Sequence, residues 1–300
     1  MTTPEPFQID REHTGDFAGI CTIRLVQPGK PVVVLDLPLI QRLEATLSAL
    51  PKDAAGLVLA SASERVFIAG ADLKTIQDAT DDQLHRYLAY ASGVFAMISA
   101  LPYPTVAAIN GAALGGGLEL AMHCDALVAA PSFSGKPYPI GLPEAGLSIC
   151  PGWGGTNLLP ARLDPATAIQ MTATGKPMNF DEAKAAGMFD AVAPSFADLI
   201  PTAMRWIVDR RAKGRIDRDT SPLRCISRPT FATAALRALD SIRADLPKTE
   251  AATAVALAID AGLARGWKAA LDTEQHELVR LRNTPAGKQA ITAFFNKPPR

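Results

Sequence analysis

The chain has 300 residues, 48% of them hydrophobic and 20% charged, with 30 basic residues balancing 30 acidic ones. That length and mix describe an ordinary globular protein with room for a full core, and the zero net charge leaves no electrostatic footprint for nucleic acid or an anionic membrane. Four cysteines without a Cys-x-x-Cys pair read as free buried thiols rather than disulfides or a zinc site, and Glu5, Asp10, Arg11 and Glu12 leave no apolar signal region, so a cytoplasmic protein is expected.

In chain order, Ile20–Val26 alternates apolar and polar residues as a half-buried strand does, and Pro28-Gly29 turns the chain. Val32–Leu35 reads as another extended piece. Leu39, Leu43, Leu47 and Leu50 fall at helical spacing up to a stop at Pro51. Gly56–Ala60 suits a buried strand. Asp82–Leu101 is an amphipathic helix with Leu84, Leu88, Ala91, Val94, Phe95 and Ile98 on one stripe. Its apolar part is too short to span a bilayer. Thr105–Ile109 and Asp125–Ala129 read as strands around a glycine-led helix, Gly115–Cys124. This alternation marks a layered α/β core. Arg210–Pro222 is polar and reads as a connection, and Thr230–Phe295 is Ala/Leu-rich and helical, its longest helix expected over Glu250–Arg282.

Two glutamates stand out. Glu119 is the one Asp, Glu, Lys or Arg between Arg86 and Asp125, and Glu144 is the one between Lys136 and Arg162. A lone carboxylate in an apolar, glycine-rich stretch is costly to bury unless it is hydrogen-bonded or protonated. Glu119 follows Gly115-Gly116-Gly117 at a helix start, where unpaired N–H groups can hold a developing oxyanion. Glu144 sits between Gly141-Leu142-Pro143 and the shaped loop Pro151-Gly152-Trp153-Gly154-Gly155-Thr156. Desolvation there favours the protonated acid. The two look like an acid/base pair. A third glycine-bearing run, Phe67 to Lys74, leads into a helix that Asp72 is placed to cap. His123 beside Cys124 reads as a core histidine, Cys150 as a wall residue, and Phe294 and Phe295 as caps on the core. Arg210, Arg211 and Lys213 read as a solvated face. No spacing suggests a metal site.

Taken together, Phe67 to Lys74, Pro104 to Glu119 and Gly141 to Thr156 resemble, in order and spacing, the signatures of the crotonase (enoyl-CoA hydratase/isomerase) superfamily. The likeness covers about residues 17–200. The ending Thr284 to Phe295 is similar to the hydratase part of the bifunctional fatty-acid oxidation proteins. The resemblance implies an α/β fold, a spiral of ββα repeats over residues 1–205. A helical C-terminal region, 206–300, would then serve oligomerisation or cover the active site. It implies backbone N–H groups of Ala71 and Gly116 as the oxyanion hole. Ala71, Asp72, Leu73, Lys74 and Gly116 would bind the coenzyme A substrate, and Glu119 and Glu144 would be the catalytic pair.

The implied reaction is hydration of a 2-enoyl-CoA in fatty-acid β-oxidation, with no metal and no cofactor beyond the coenzyme A of the substrate. A homotrimer or hexamer is expected, with no nucleic-acid or membrane partner. Keeping both glutamates favours a hydratase. The alternatives are a Δ3,Δ2-enoyl-CoA isomerase, or a hydratase of a branched or cyclic acyl-CoA. The stretch Phe133–Ile140, longer than is usual in the family, bears on the second of these. A non-catalytic or RNA-binding relative fits the neutral charge and the two intact glutamates poorly. No Gly-x-Gly-x-x-Gly follows a strand before Arg300, so the dehydrogenase activity of the bifunctional proteins is not expected.

Overall fold

The computed structural model describes residues 4–30, 32–219 and 221–296. In chain order they form β1 (Ile9–Arg11), β2 (Ile20–Leu25), α1 (Leu37–Ser48), β3 (Gly56–Ser61), β4 (Val66–Ile68), α2 (Leu73–Asp78) and α3 (Asp81–Ala100). Next come β5 (Thr105–Ile109), β6 (Ala112–Leu114), α4 (Gly116–Met122), β7 (Ala126–Ala129) and β8 (Pro139–Gly141). Then follow α5 (Gly155–Leu158), α6 (Pro165–Thr174), β9 (Met178–Asn179), α7 (Phe180–Ala185) and β10 (Ala191–Val192). Among the described residues the rest is helical: α8 (Leu199–Ala212), α9 (Pro229–Ile242), α10 (Glu250–Arg265), α11 (Trp267–Arg282) and α12 (Pro285–Phe295). This mixed α/β chain with a helical C-terminal region is what the resemblance implies. It divides into two compact units: the first runs to Gly70 and adds Gly93–Ile140 and Met178–Leu223, the second holds Ala71–Ser92, Gly141–Pro177 and the chain from Arg224.

In the first unit a six-stranded sheet runs β1-β2-β3-β5-β7-β10. β1 and β2 are antiparallel, and the remaining neighbours are parallel. The register sets Ile20 beside Gly56, Leu57 beside Thr105 and Val106 beside Ala126. β3, β5 and β7 are covered on both faces, so they read as continuous apolar runs rather than alternations. Ala203, Met204 and Ile207 of α8 pack with Val58, Val106 and Val128 of this sheet. The expected strand at Val32–Leu35 is an extended segment held by two bonds instead, Ala69 N–H to Val33 O (2.8 Å) and Leu35 N–H to Gly70 O (2.9 Å). α1 begins where Asp36 accepts the Leu39 N–H at 2.9 Å, and its leucines 39, 43 and 47 are buried as their spacing predicts.

A smaller sheet, β4-β6-β8-β9, completes this unit. The long stretch Phe133–Ile140 ends in β8, which pairs with β9 through Ile140 and Met178. Its Tyr138 hydroxyl donates to the Ala130 carbonyl at 2.8 Å, and its ring lies 5.2 Å from that of Phe180. The connection after α8 contains one strongly held residue. Arg218 makes a bidentate pair with Asp125, at 2.7 and 2.8 Å, and also donates to the carbonyls of Ser99 and Tyr103. The two side chains are 8% and 4% exposed, so the pair is desolvated.

In the second unit α10 and α11 pack side by side. The buried face of α10 is built from Ala251, Ala254, Val255, Ala258 and Ile259. Sequence periodicity predicts one helix over Glu250–Arg282, but the chain breaks at Gly266 (φ 88°, ψ −178°). That is a backbone conformation glycine adopts without the steric cost other residues meet, so two helices form. A second expectation also fails: Phe294 and Phe295 do not cap the core but are 45% and 48% exposed. The last turn of α12 carries them past its buried residues, Gly287 and Ile291. The cysteines behave as expected, all four free and buried. Among the described residues no helix is long and apolar enough to cross a membrane.

Candidate active site

β6 ends at Leu114, and Gly115 turns the chain into α4 with φ 51° and ψ −128°. A Cβ at Gly117 would lie 2.5 Å from the Ile68 carbonyl oxygen, so the glycines allow α4 to start against β4. N–H groups in a first helical turn lack partners within the helix and carry its positive end; Gly116 is the first residue of α4. Glu119 lies in that first turn and is 1% exposed. Its burial is eased because a helix N-terminus favours negative charge. Further along, His123 is the core histidine expected: its Nδ1 is 3.2 Å from Ser99 Oγ and its ring stands edge-on to Phe95.

In the second unit, Ala71 precedes a capped helix. Asp72 accepts the Lys74 N–H at 3.2 Å and the Thr75 hydroxyl at 2.6 Å, the capping role its position predicts. Lys74 is exposed and its Nζ lies 3.0 Å from Asp78. A shallow groove is lined by Lys74, Gln77, Thr292, Phe295 and Asn296.

Glu144 opens a 3₁₀ turn, Glu144–Leu147, in the same unit. Its backbone carbonyl accepts the Ile149 N–H at 3.2 Å. Its Oε2 is buried with no hydrogen-bond partner. Desolvation above all, with a further push from the charge of Glu274, raises this carboxyl to about 8. A carboxyl held neutral near physiological pH is a proton donor.

The loop after Glu144 is held from α11. Glu274 is completely buried and accepts the Gly154 N–H at 2.5 Å, the Thr156 N–H at 2.9 Å and the Thr156 hydroxyl at 2.5 Å. Burial raises its carboxyl to about 7, opposed by those three donors. Both carboxyls are raised, but the charged form of Glu274 takes three hydrogen bonds, whereas Glu144 has one from the backbone and leaves Oε2 without a partner, so Glu274 ionises first and Glu144 keeps the proton. Cys150 is buried and donates its thiol to the Glu274 carbonyl at 3.4 Å. The Trp153 indole N–H donates to Leu88 O at 3.1 Å. Gly154, at φ 101°, lies under the Trp267 ring, which any Cβ there would strike.

The model of the enoyl-CoA hydratase/isomerase family matches residues 16–216, two thirds of the chain. The chain belongs to that family. Solved structures similar to it include enoyl-CoA hydratase from Bacillus anthracis, 26% identical, with 97% of this chain and 96% of that one covered at a TM-score of 0.60. Human mitochondrial Δ3-Δ2-enoyl-CoA isomerase is 21% identical, with 97% of each chain covered and a TM-score of 0.69. Enoyl-CoA hydratase from Bacillus halodurans is 20% identical, with 95% of this chain and 99% of that one covered and a TM-score of 0.66. The last two, at such identities, speak for the fold.

As a member of the enoyl-CoA hydratase/isomerase family, the protein belongs among enzymes whose substrates are acyl-CoA thioesters. Hydratases and an isomerase stand side by side among the similar structures, so the choice between them falls to the residues. Gly116 and Glu119 lie in the first unit; Ala71, Asp72, Leu73, Lys74 and Glu144 lie in the second. Sequence reasoning missed Glu274, which sits in the polar run Asp272 to Glu277. A signal was there: Trp267, Ala270, Glu274, Leu278 and Leu281 share one helical face, four of them apolar.

Proposed function

We propose that the protein is an enoyl-CoA hydratase, adding water across the 2,3 double bond of an enoyl-CoA thioester. The observation that carries this reading is Glu144, a carboxyl with a buried, unpartnered oxygen and a raised pKa. It suits an acid that must be protonated while a second glutamate, Glu119, is ionised. Glu119 takes a proton from water as the water oxygen bonds to C3. The π electrons of the double bond move onto the thioester oxygen, and the backbone N–H groups of Ala71 and Gly116 stabilise that enolate. Glu144 then delivers its proton to C2 as the carbonyl re-forms. One water is consumed, and the proton on Glu119 returns to Glu144 through solvent to reset the pair. Each backbone donor to such an oxyanion is typically worth about 2.7–4 kcal/mol in the transition state. Lys74, in its groove beside Gln77, would meet a phosphate of coenzyme A. No metal or redox cofactor takes part in this scheme. The helices of 206–300 serve assembly into a trimer or hexamer, or cover the site.

Isomerisation is the second reading. Moving a double bond from C3 to C2 needs one proton shuttle, and Glu144 alone would serve. The buried Glu119 is the reason to prefer hydration. The deciding experiment follows loss of the conjugated thioester absorbance over a panel of straight, branched and cyclic 2-enoyl-CoA substrates. Glu119→Gln is expected to lower the hydration rate by ~10²–10⁴-fold while acyl-CoA binding by calorimetry stays near wild type. Turnover of a 3-enoyl-CoA that survives Glu119→Gln, with no hydration by wild type, would establish the isomerase instead.

A further inference from the structure

Glu274 is unusual in its unit: a completely buried carboxylate that spends both oxygens on one loop. Oε2 takes the Gly154 N–H, and Oε1 takes both the N–H and the hydroxyl of Thr156. Its neighbours on α11 reinforce the grip. Gln275 Nε2 donates to Ser92 Oγ at 2.8 Å and reaches the Gly152 carbonyl at 3.5 Å, and the Cys150 thiol donates to the Glu274 carbonyl. Trp267, about two helical turns before Glu274 on the same face of α11, covers Gly154. Apart from Ser92, the residues so held lie in 150–156, downstream of the turn that carries Glu144.

We propose that Glu274 is the positioning residue for Glu144, clamping from α11 the loop that fixes the Glu144 turn and placing a second carboxylate in the same buried environment. This deepens the hydration reading and rests on it for the role of Glu144. A mere packing role is a poor account of Glu274, because a buried carboxylate is costly and an apolar residue would fill the space without that cost. The three donors settle where the charge resides. They stabilise ionised Glu274, whereas Glu144 Oε2 has no donor, so of the two carboxyls Glu274 is the first to ionise. Like charges disfavour a second ionisation, which keeps Glu144 an acid.

The test uses the full chain and three variants, Glu274→Gln, Thr156→Val and Thr156→Ser. One readout is kcat and KM for a 2-enoyl-CoA. The other is an infrared pH titration of the carboxylic-acid carbonyl band assigned to Glu144 by its loss in Glu144→Gln. Removing the Glu274 charge is expected to make that band disappear at lower pH than in wild type, and to lower kcat on the order of tenfold or more with KM within about threefold. Thr156→Val is expected to lower kcat in the same way, and Thr156→Ser, which keeps the hydroxyl, to restore it. If Glu274→Gln does not fold, the Thr156 pair decides. Variants that melt earlier yet keep wild-type kcat and an unmoved Glu144 band would overturn the proposal. The band readout is independent of turnover: a shifted band in a protein that hydrates no enoyl-CoA leaves Glu274 as the positioning residue and removes the hydration reading.

Discussion

Replacing Glu144 by glutamine should make the protein inactive and, at alkaline pH, more stable than wild type relative to its behaviour in acid. The folded-state carboxyl is raised from 4.5 to about 8, so between those values the native protein binds a proton that the unfolded chain releases. Stability contributed by Glu144 is therefore fully present below its unfolded pKa and is lost as pH rises toward 8. At ~1.4 kcal/mol per pH unit, the loss between about pH 5 and pH 8 comes to ~3–4 kcal/mol, an upper value because Glu274 and Glu144 titrate as a pair. Glutamine keeps the shape and has no proton to lose. Urea unfolding of both proteins at the two pH values gives, as a double difference, the contribution of Glu144 together with its effect on Glu274, since the groups outside that pair are common to both. Stability curves that run parallel to within about 0.5 kcal/mol, the ordinary scatter of a neutral substitution, would refute the argument that Glu144 is held protonated by burial.

Two further outcomes follow from the packing. Arg218→Met leaves Asp125 buried with its Thr105 N–H bond but no countercharge; the expected loss is ~3–5 kcal/mol in chemical denaturation, against a negligible change for an exposed arginine such as Arg211. Lys74→Ala removes an exposed cation and should raise KM for acyl-CoA several-fold, roughly 1 kcal/mol of binding, with kcat unchanged. Equal binding of the short thioester and of the coenzyme A form by the variant and wild type would exclude a phosphate contact.

The raised acid and the clamp beneath it connect stability to chemistry. The buried Glu144 Oε2, left without a hydrogen-bond partner, is a cost to the folded state. The large apolar faces of β3, β5 and β7 and of α10 offset it. A site of this kind tolerates substitutions that stabilise the protein while removing its activity, as Glu144→Gln is expected to do.

Much of this molecule could be read from local pattern. Strands such as Thr105–Ile109, the α3 stripe and the cap at Asp72 depend on residues within a few positions of one another, so local pattern records them directly. Glu119 and Glu144 were visible for the same reason, as charges isolated within apolar, glycine-rich neighbourhoods. What tertiary structure alone decided involves partners far apart in the chain. Arg218 meets Asp125 across 93 positions, and Glu274 meets Thr156 across 118. A carboxylate in a polar stretch of sequence looks solvated until folding withdraws its water, and a helical pattern does not reveal that Gly266 adopts φ 88° and divides it. Burial and positive φ are properties of the closed chain, set by what packs against a residue rather than by what precedes it.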